Sequence, residues 1–308
     1  MWVFLAFVSA FFLGFYDIAK KKSLNGNAVL TVLFCNTIFG ALIFSPFVII
    51  STASPQIVEG TIFNASLIAG YGEGTAATPL QAHLMVILKT FIVLGSWIMG
   101  YFALKHLPIT IAGPVNAIRP VLVLIGAVLI FSERLNLIQW LGVGISLLSL
   151  FLLSLSGRKE GIDFRTNKWV FILFGAVIMG AVSGLYDKFI MKMLPPLFVQ
   201  SRFNIYQVVV MGSILLIMNR HTSVKFEWRW WIPLISIFIS IADFAYFYSL
   251  SFDDALIAVI SMIRRGSVIV SFAAGALLFR EKNLKAKAMD LGLILLGLGL
   301  LCWGSLQG

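Results

Sequence analysis

Hydrophobic positions in this chain come in long blocks rather than in alternation. Ten apolar stretches stand out: 2–19, 28–50, 84–104, 109–131, 136–155, 168–190, 197–218, 229–251, 255–279 and 286–305. Each is long enough to cross the hydrocarbon of a bilayer as a helix. The pattern predicts an all-α integral membrane protein with ten transmembrane helices. The first block has no basic residues ahead of it and no clear small-residue cleavage site, so it reads as a membrane helix rather than a removed leader. Most connections are short, as between antiparallel neighbours. The exception is Ser51–His83, rich in Gly and Pro and free of Lys and Arg, which reads as a tolerated loop insertion.

Polar residues inside the blocks repeat. The fourth block carries Arg119 near its middle, followed by Pro120, and ends in Phe131–Ser132–Glu133–Arg134. The ninth carries Arg264–Arg265, then Gly266, and ends in Phe279–Arg280–Glu281–Lys282. Gly14–Phe15–Tyr16–Asp17 in the first block matches Gly184–Leu185–Tyr186–Asp187 in the sixth. Asn36 and Asn204 follow at similar distances in the second and seventh. Two repeats are therefore expected, 1–156 and 168–308, joined by a charged linker at 157–167. Five crossings is an odd number, so the second half enters the membrane from the opposite side. Inverted repeats of this kind build transporters whose site lies near the midplane.

Composition agrees and narrows the class. Of 308 residues, 60% are hydrophobic and 12% charged. The net charge of +10 does not point to nucleic acid, because the basic residues cluster in short loops between spans. Loops on the side of both termini carry three Lys or Arg, and the opposite loops carry fifteen. That bias places the termini outside. Cys35 and Cys302 lie within apolar blocks and read as core residues, and no His/Cys spacing suggests a metal. No cofactor is expected, and no enzyme motif is present.

With ten spans in two fives, Phe-x-Glu-Arg/Lys closing the fourth span of each half, and glycines along the fifth (Gly142, Gly144; Gly292, Gly297, Gly299), the chain resembles the drug/metabolite transporter superfamily, EamA type. The resemblance implies a multi-pass protein of the inner membrane that exports or exchanges metabolites or drugs, often with proton coupling. It also implies cytoplasmic termini, against the charge count. The charge bias is large, and the Ser51–His83 loop falls on the same outer side, so external termini are the expectation here.

An arginine in hydrocarbon is costly unless it faces a polar interior or a partner, and such residues are functional by default. Arg119 is the first candidate to hold a substrate carboxylate or phosphate through its planar fork; a structural ion pair is the competing role. Arg264 and Arg265 point about 100° apart on a helix. Aligning the segment ahead of them makes Arg265 the counterpart of Arg119, whereas aligning on Glu281 shifts the match. Asp243, deep in the eighth span, is the strongest intramembrane carboxylate, a proton site or a counter-ion to Arg265. Asp17 and Asp187, with Tyr16 and Tyr186 before them, are candidates for a cationic group or a coupling proton, although Lys20 and Lys21 favour a local pair for Asp17. Tyr246, Asn36 and Asn204 complete the candidate set, the asparagines being more often interhelical glue. Lys89 and Arg202 sit near span ends and are expected to snorkel to the interface.

The surplus of intramembrane basic over acidic residues favours a small anionic or zwitterionic metabolite, such as an amino acid or organic acid, moved by alternating access. A flippase or carrier for a phosphate-bearing lipid is the alternative, and a non-transporting membrane scaffold subunit the third. Expected partners are a small-molecule substrate, the lipid bilayer and a coupling proton; the protein is expected as a monomer or homodimer.

Overall fold

Long apolar stretches carrying few charges give the helices of membrane-spanning length. In the computed structural model, Trp2–Leu24 (α1), Val29–Ala53 (α2), Pro79–His106 (α3), Lys168–Met191 (α6) and Trp231–Leu250 (α8) each contain a window long and apolar enough to span a membrane. Ile109–Ala117 (α4), Leu137–Arg158 (α5), Pro196–Met218 (α7), Ser267–Leu277 (α9) and Leu284–Gln307 (α10) complete the order. The structure describes residues 2–53, 79–119, 121–123, 125–126, 136–158, 164–191, 193–218, 225–250, 252, 260, 263–264, 266–278 and 284–307. The fold is all-helical, with no strand among the described residues. The helices α2 and α3 extend into the segment that hydropathy leaves to the second connection. The rest of that connection lies outside the described residues.

Two blocks expected as continuous helices are interrupted. The fourth breaks at Ile118, whose N–H reaches back only three residues to the Val115 carbonyl at 3.3 Å. The reason is local: a proline at 120 can donate nothing to the Asn116 carbonyl. The ninth turns at Gly266, where the backbone again bonds three residues back, Gly266 N–H to the Ile263 carbonyl at 2.9 Å. A Cβ at Gly266 would stand 2.9 Å from that carbonyl oxygen, so the turn is built for glycine. Both breaks lie next to an intramembrane arginine.

The principal packing partners are α1 with α8, α3 with α6, α2 with α7 and α5 with α10. Serine hydroxyls tie them together. Ser9 donates to the Ala242 carbonyl (2.7 Å), Ser96 to the Ala176 carbonyl (2.8 Å), and Ser236 to the side chain of Asn36 (2.8 Å); Ser149 donates to the Asp290 carbonyl. Such bonds, with small residues at the contacts, replace the hydrophobic drive that lipid cannot supply between helices. One end of the bundle is basic and aromatic. Lys21 donates to the carbonyls of Leu104 and Leu107 (2.7 and 2.6 Å), Lys105 to Asn27, and Arg229 to Lys22. Lys22 lies 4.6 Å from the Trp231 ring, and His106 stacks on Trp169 at 3.6 Å. The connections α1–α2, α3–α4, α5–α6 and α7–α8 thus meet in one Lys-, Arg- and Trp-rich layer, the composition of a membrane interface.

Gly14 of α1 packs directly against Val270 of α9. A methyl there would lie 2.7 Å from Cγ1 of Val270 and nearer still to its Cβ, and a β-branched side chain cannot swing away. Gly14→Ala is expected to lower the midpoint of thermal unfolding, at a cost of about 1–3 kcal/mol. Adding Val270→Ala should recover most of that loss. An unchanged midpoint in the single variant would contradict the contact.

Candidate functional site

The broken helices and α1, α3, α6 and α8 enclose a cavity of about 180 Å³ at the centre of the bundle. Its charged lining, among the described residues, is Asp17 and Lys20 from α1, Lys89 from α3, Arg119 beyond the end of α4, Asp187 from α6, Asp243 from α8 and Arg264 just before α9. Four cations meet three carboxylates, a surplus of one positive charge.

The pairing is orderly. Lys20 donates to Asp17 at 2.9 Å across one helical turn, and Ser271 of α9 donates to the other Asp17 oxygen at 3.2 Å. Lys89 is ion-paired with Asp187, both buried. Arg264 donates through Nη2 to Asp243 at 2.6 Å. Each of these cations also sits on an aromatic face. Lys20 lies 4.2 Å from the Tyr16 ring centroid, Lys89 stands between Phe203 (5.0 Å) and Phe247 (4.8 Å), and the Arg264 guanidinium lies 3.9 Å from Tyr246. Cation–π contact of this kind strengthens as water is excluded. Arg119 stands apart. Among the described residues it has no carboxylate and no aromatic partner, and its Nε is buried without a hydrogen bond. A paired and stacked cation is already satisfied; an unpaired one is a ready ligand for an anion.

Of the sequence candidates, Arg119, Arg264, Asp243, Asp187, Asp17, Tyr16 and Tyr246 line this one cavity. Tyr186, Asn36 and Asn204 are not among its lining. Tyr186 donates to the Met85 carbonyl at 3.2 Å. Asn36 accepts from Ser236, joining α2 to α8, and Asn204 donates to Gln200 at 2.7 Å and packs over Gly40. Arg265 lies outside the described residues, and Asp243 meets Arg264. The expectation that Lys89 snorkels does not hold: it is 2% exposed, because Asp187 and two phenyl faces give it an internal partner. Tyr101 and Gly180 also enter the cavity wall without having been singled out, as does Lys20, which the sequence offers only as a local partner of Asp17. Lys89 could have been found from its place in an apolar block, where an ionisable residue is functional by default; Gly180 carries no such signal.

The EamA-like transporter family model matches residues 1–155, half of the chain. The chain belongs to the EamA-like transporter family. It is a multi-pass transport protein of the inner membrane. A stretch of 68 residues is 35% identical to the probable 4-amino-4-deoxy-L-arabinose-phosphoundecaprenol flippase subunit ArnE of Aeromonas salmonicida (strain A449). That match spans 22% of this chain and 60% of the relative. One solved crystal structure superimposes over 97% of this EamA-family chain and 95% of its own, with a TM-score of 0.63 at 17% identity. That likeness extends the shared fold to nearly the whole chain.

Proposed function

We propose that this EamA-family chain is a secondary transporter for a small anionic or zwitterionic solute, whose anionic group is held by Arg119. The observation that carries this is the contrast within the cavity. Three cations each have a carboxylate and an aromatic face, and Arg119 has neither among the described residues. A carboxylate or phosphate entering the site meets the surplus charge without having to displace an internal partner. The paired carboxylates Asp17, Asp187 and Asp243 offer acceptors for an ammonium on the same solute or for a coupling proton. A space of about 180 Å³ suits a small metabolite better than a drug-sized ligand, whose sites run to about 300 Å³ and more.

Alternating access in this reading works between two inverted five-helix halves, 1–156 and 168–308. Exchanging α1–α5 with α6–α10 maps α2·α7 and α5·α10 onto themselves and turns α1·α8 into α6·α3, which are the four main packing partnerships. It also exchanges the two helices broken beside an arginine, and discontinuous helices are where transporters of this architecture bind their substrates.

A second reading is favoured by the flippase-subunit relative: a phosphate-bearing lipid whose head group meets the same guanidinium. In that case a heteromeric partner, rather than a monomer or homodimer, is expected.

Thermal unfolding of the purified protein against amino acids, organic acids, phosphorylated solutes, organic cations and short-chain phospholipids separates these readings, since a ligand specific to the folded state stabilises it by RT ln(1 + [L]/Kd). Stabilisation by soluble anions or zwitterions is the expected result. Stabilisation by phospholipids alone moves the assignment to the lipid carrier, and stabilisation by cations alone overturns both.

A further inference from the structure

We infer that Gly180 is a positioning residue for anion recognition, holding the Arg119 guanidinium in register by the absence of a side chain. This rests on Arg119 as the anion ligand. Gly180 lies in the middle of α6 and lines the same cavity. A Cβ built on it would fall 2.5 Å from Arg119 Nε and closer to both Cζ and Nη2. The guanidinium therefore lies directly against the α6 backbone, in a slot only glycine leaves open. The contact is with the face of the guanidinium, centred on Cζ, and Nε is buried there without a hydrogen bond. With one face laid on α6, the guanidinium keeps its Nη atoms, which unlike Nε are not buried and unpaired, to present to an incoming carboxylate or phosphate.

Gly180 is unlike the other two glycines that line the cavity. Gly184, one turn along, has only an ordinary contact with Val123 at 3.7 Å, and Gly100 one with Ala176 at 3.9 Å. At Gly14 the obstacle is a stiff valine. At Gly180 it is the far end of a long, flexible side chain that can move into the cavity. A methyl at 180 is therefore cheap for folding and costly for the position of the guanidinium. Helical glycine is itself less favourable than alanine, which further separates the effect on folding from the effect on recognition.

The experiment compares the native chain with Gly180→Ala, Arg119→Ala, the double variant, and Gly144→Ala as a helix control, Gly144 having nothing within 4 Å of a Cβ. Inorganic phosphate and acetate serve as probes. The readouts are ligand-induced shift of the unfolding midpoint and the rate of phenylglyoxal labelling at the Arg119 peptide by mass spectrometry. The expected result is that Gly180→Ala unfolds at or above the native midpoint but binds the probes about tenfold or more weaker, the size of one charge-assisted hydrogen bond. Phenylglyoxal, which condenses with the two Nη atoms, should label Arg119 faster in Gly180→Ala, because the methyl pushes the guanidinium off α6 into the cavity. The double variant should bind no worse than Arg119→Ala alone, and Gly144→Ala should bind as the native chain does. Probe binding that Arg119→Ala abolishes but Gly180→Ala keeps, with unchanged labelling, overturns the role of Gly180 alone. Native protein that shows no Arg119-dependent response to either probe overturns the anion site and Gly180's role with it.

Discussion

Arg119→Ala is expected to abolish transport while leaving a folded protein. A bidentate contact between a guanidinium and a carboxylate or phosphate comprises two charge-assisted hydrogen bonds, each worth about 1.5–3 kcal/mol. Their loss weakens binding by roughly two to four orders of magnitude. Stability should move the other way or not at all. Arg119 forms no ion pair among the described residues, so its removal breaks none. This combination distinguishes a ligand from a structural arginine, whose truncation would lower the midpoint of unfolding together with transport. Arg119→Lys refines the test. It keeps the charge but lacks the planar fork, so it should recover attraction for the solute without the two-point geometry, leaving transport well below native. Uptake by Arg119→Ala proteoliposomes at the native rate, for a substrate identified by the ligand panel, would remove Arg119 from the site.

What made Arg119 legible in the sequence was cost. A guanidinium amid 22 or so apolar residues demands an explanation, and the same is true of Asp243 and of the Arg264–Arg265 pair. The helices were legible for a similar reason, since long apolar blocks have one structural outcome in lipid. Partnership was not legible. Periodicity cannot say whether Asp187 faces Lys89, 98 positions away, or its own neighbour Lys188. It cannot choose between Arg264 and Arg265 for Asp243, because that depends on how the chain turns at Gly266. Lys89 was assigned to the interface by its distance from the end of a block; α3 begins at Pro79, earlier than hydropathy suggests, which places Lys89 three turns inside rather than at the edge. The tyrosines show the same limit. Tyr16 and Tyr186 occupy matched places in the repeat the sequence suggests, yet only Tyr16 lines the cavity, Tyr186 having turned its hydroxyl to the Met85 carbonyl. Gly180 was invisible because its role belongs to the side chain of another residue.

The second large effect concerns Lys89 and Asp187. Lys89→Met is expected to destabilise the protein by about 3–5 kcal/mol, because it leaves the Asp187 carboxylate buried without its cation. Asp187→Asn should cost a similar amount, stranding an ammonium between the Phe203 and Phe247 rings, which attract it but cannot neutralise it. The double variant Lys89→Met/Asp187→Leu removes both charges and should regain most of the stability, since replacing a whole buried pair by apolar residues is often neutral. The non-additivity, read from unfolding midpoints in detergent, measures the coupling. If the singles lose nothing, the pair is not a buried ion pair in the membrane-embedded protein. Transport then separates the two roles the pair can have. Recovery of stability and transport together would make it a strut holding α3 to α6. Recovery of stability without transport is the result expected here, because both residues line the cavity beside Arg119 and Asp187 is one of the few carboxylates there able to receive a proton or a substrate ammonium when Lys89 lets go. The same charges that fix α3 against α6 are then the ones that must be exchanged as the solute passes.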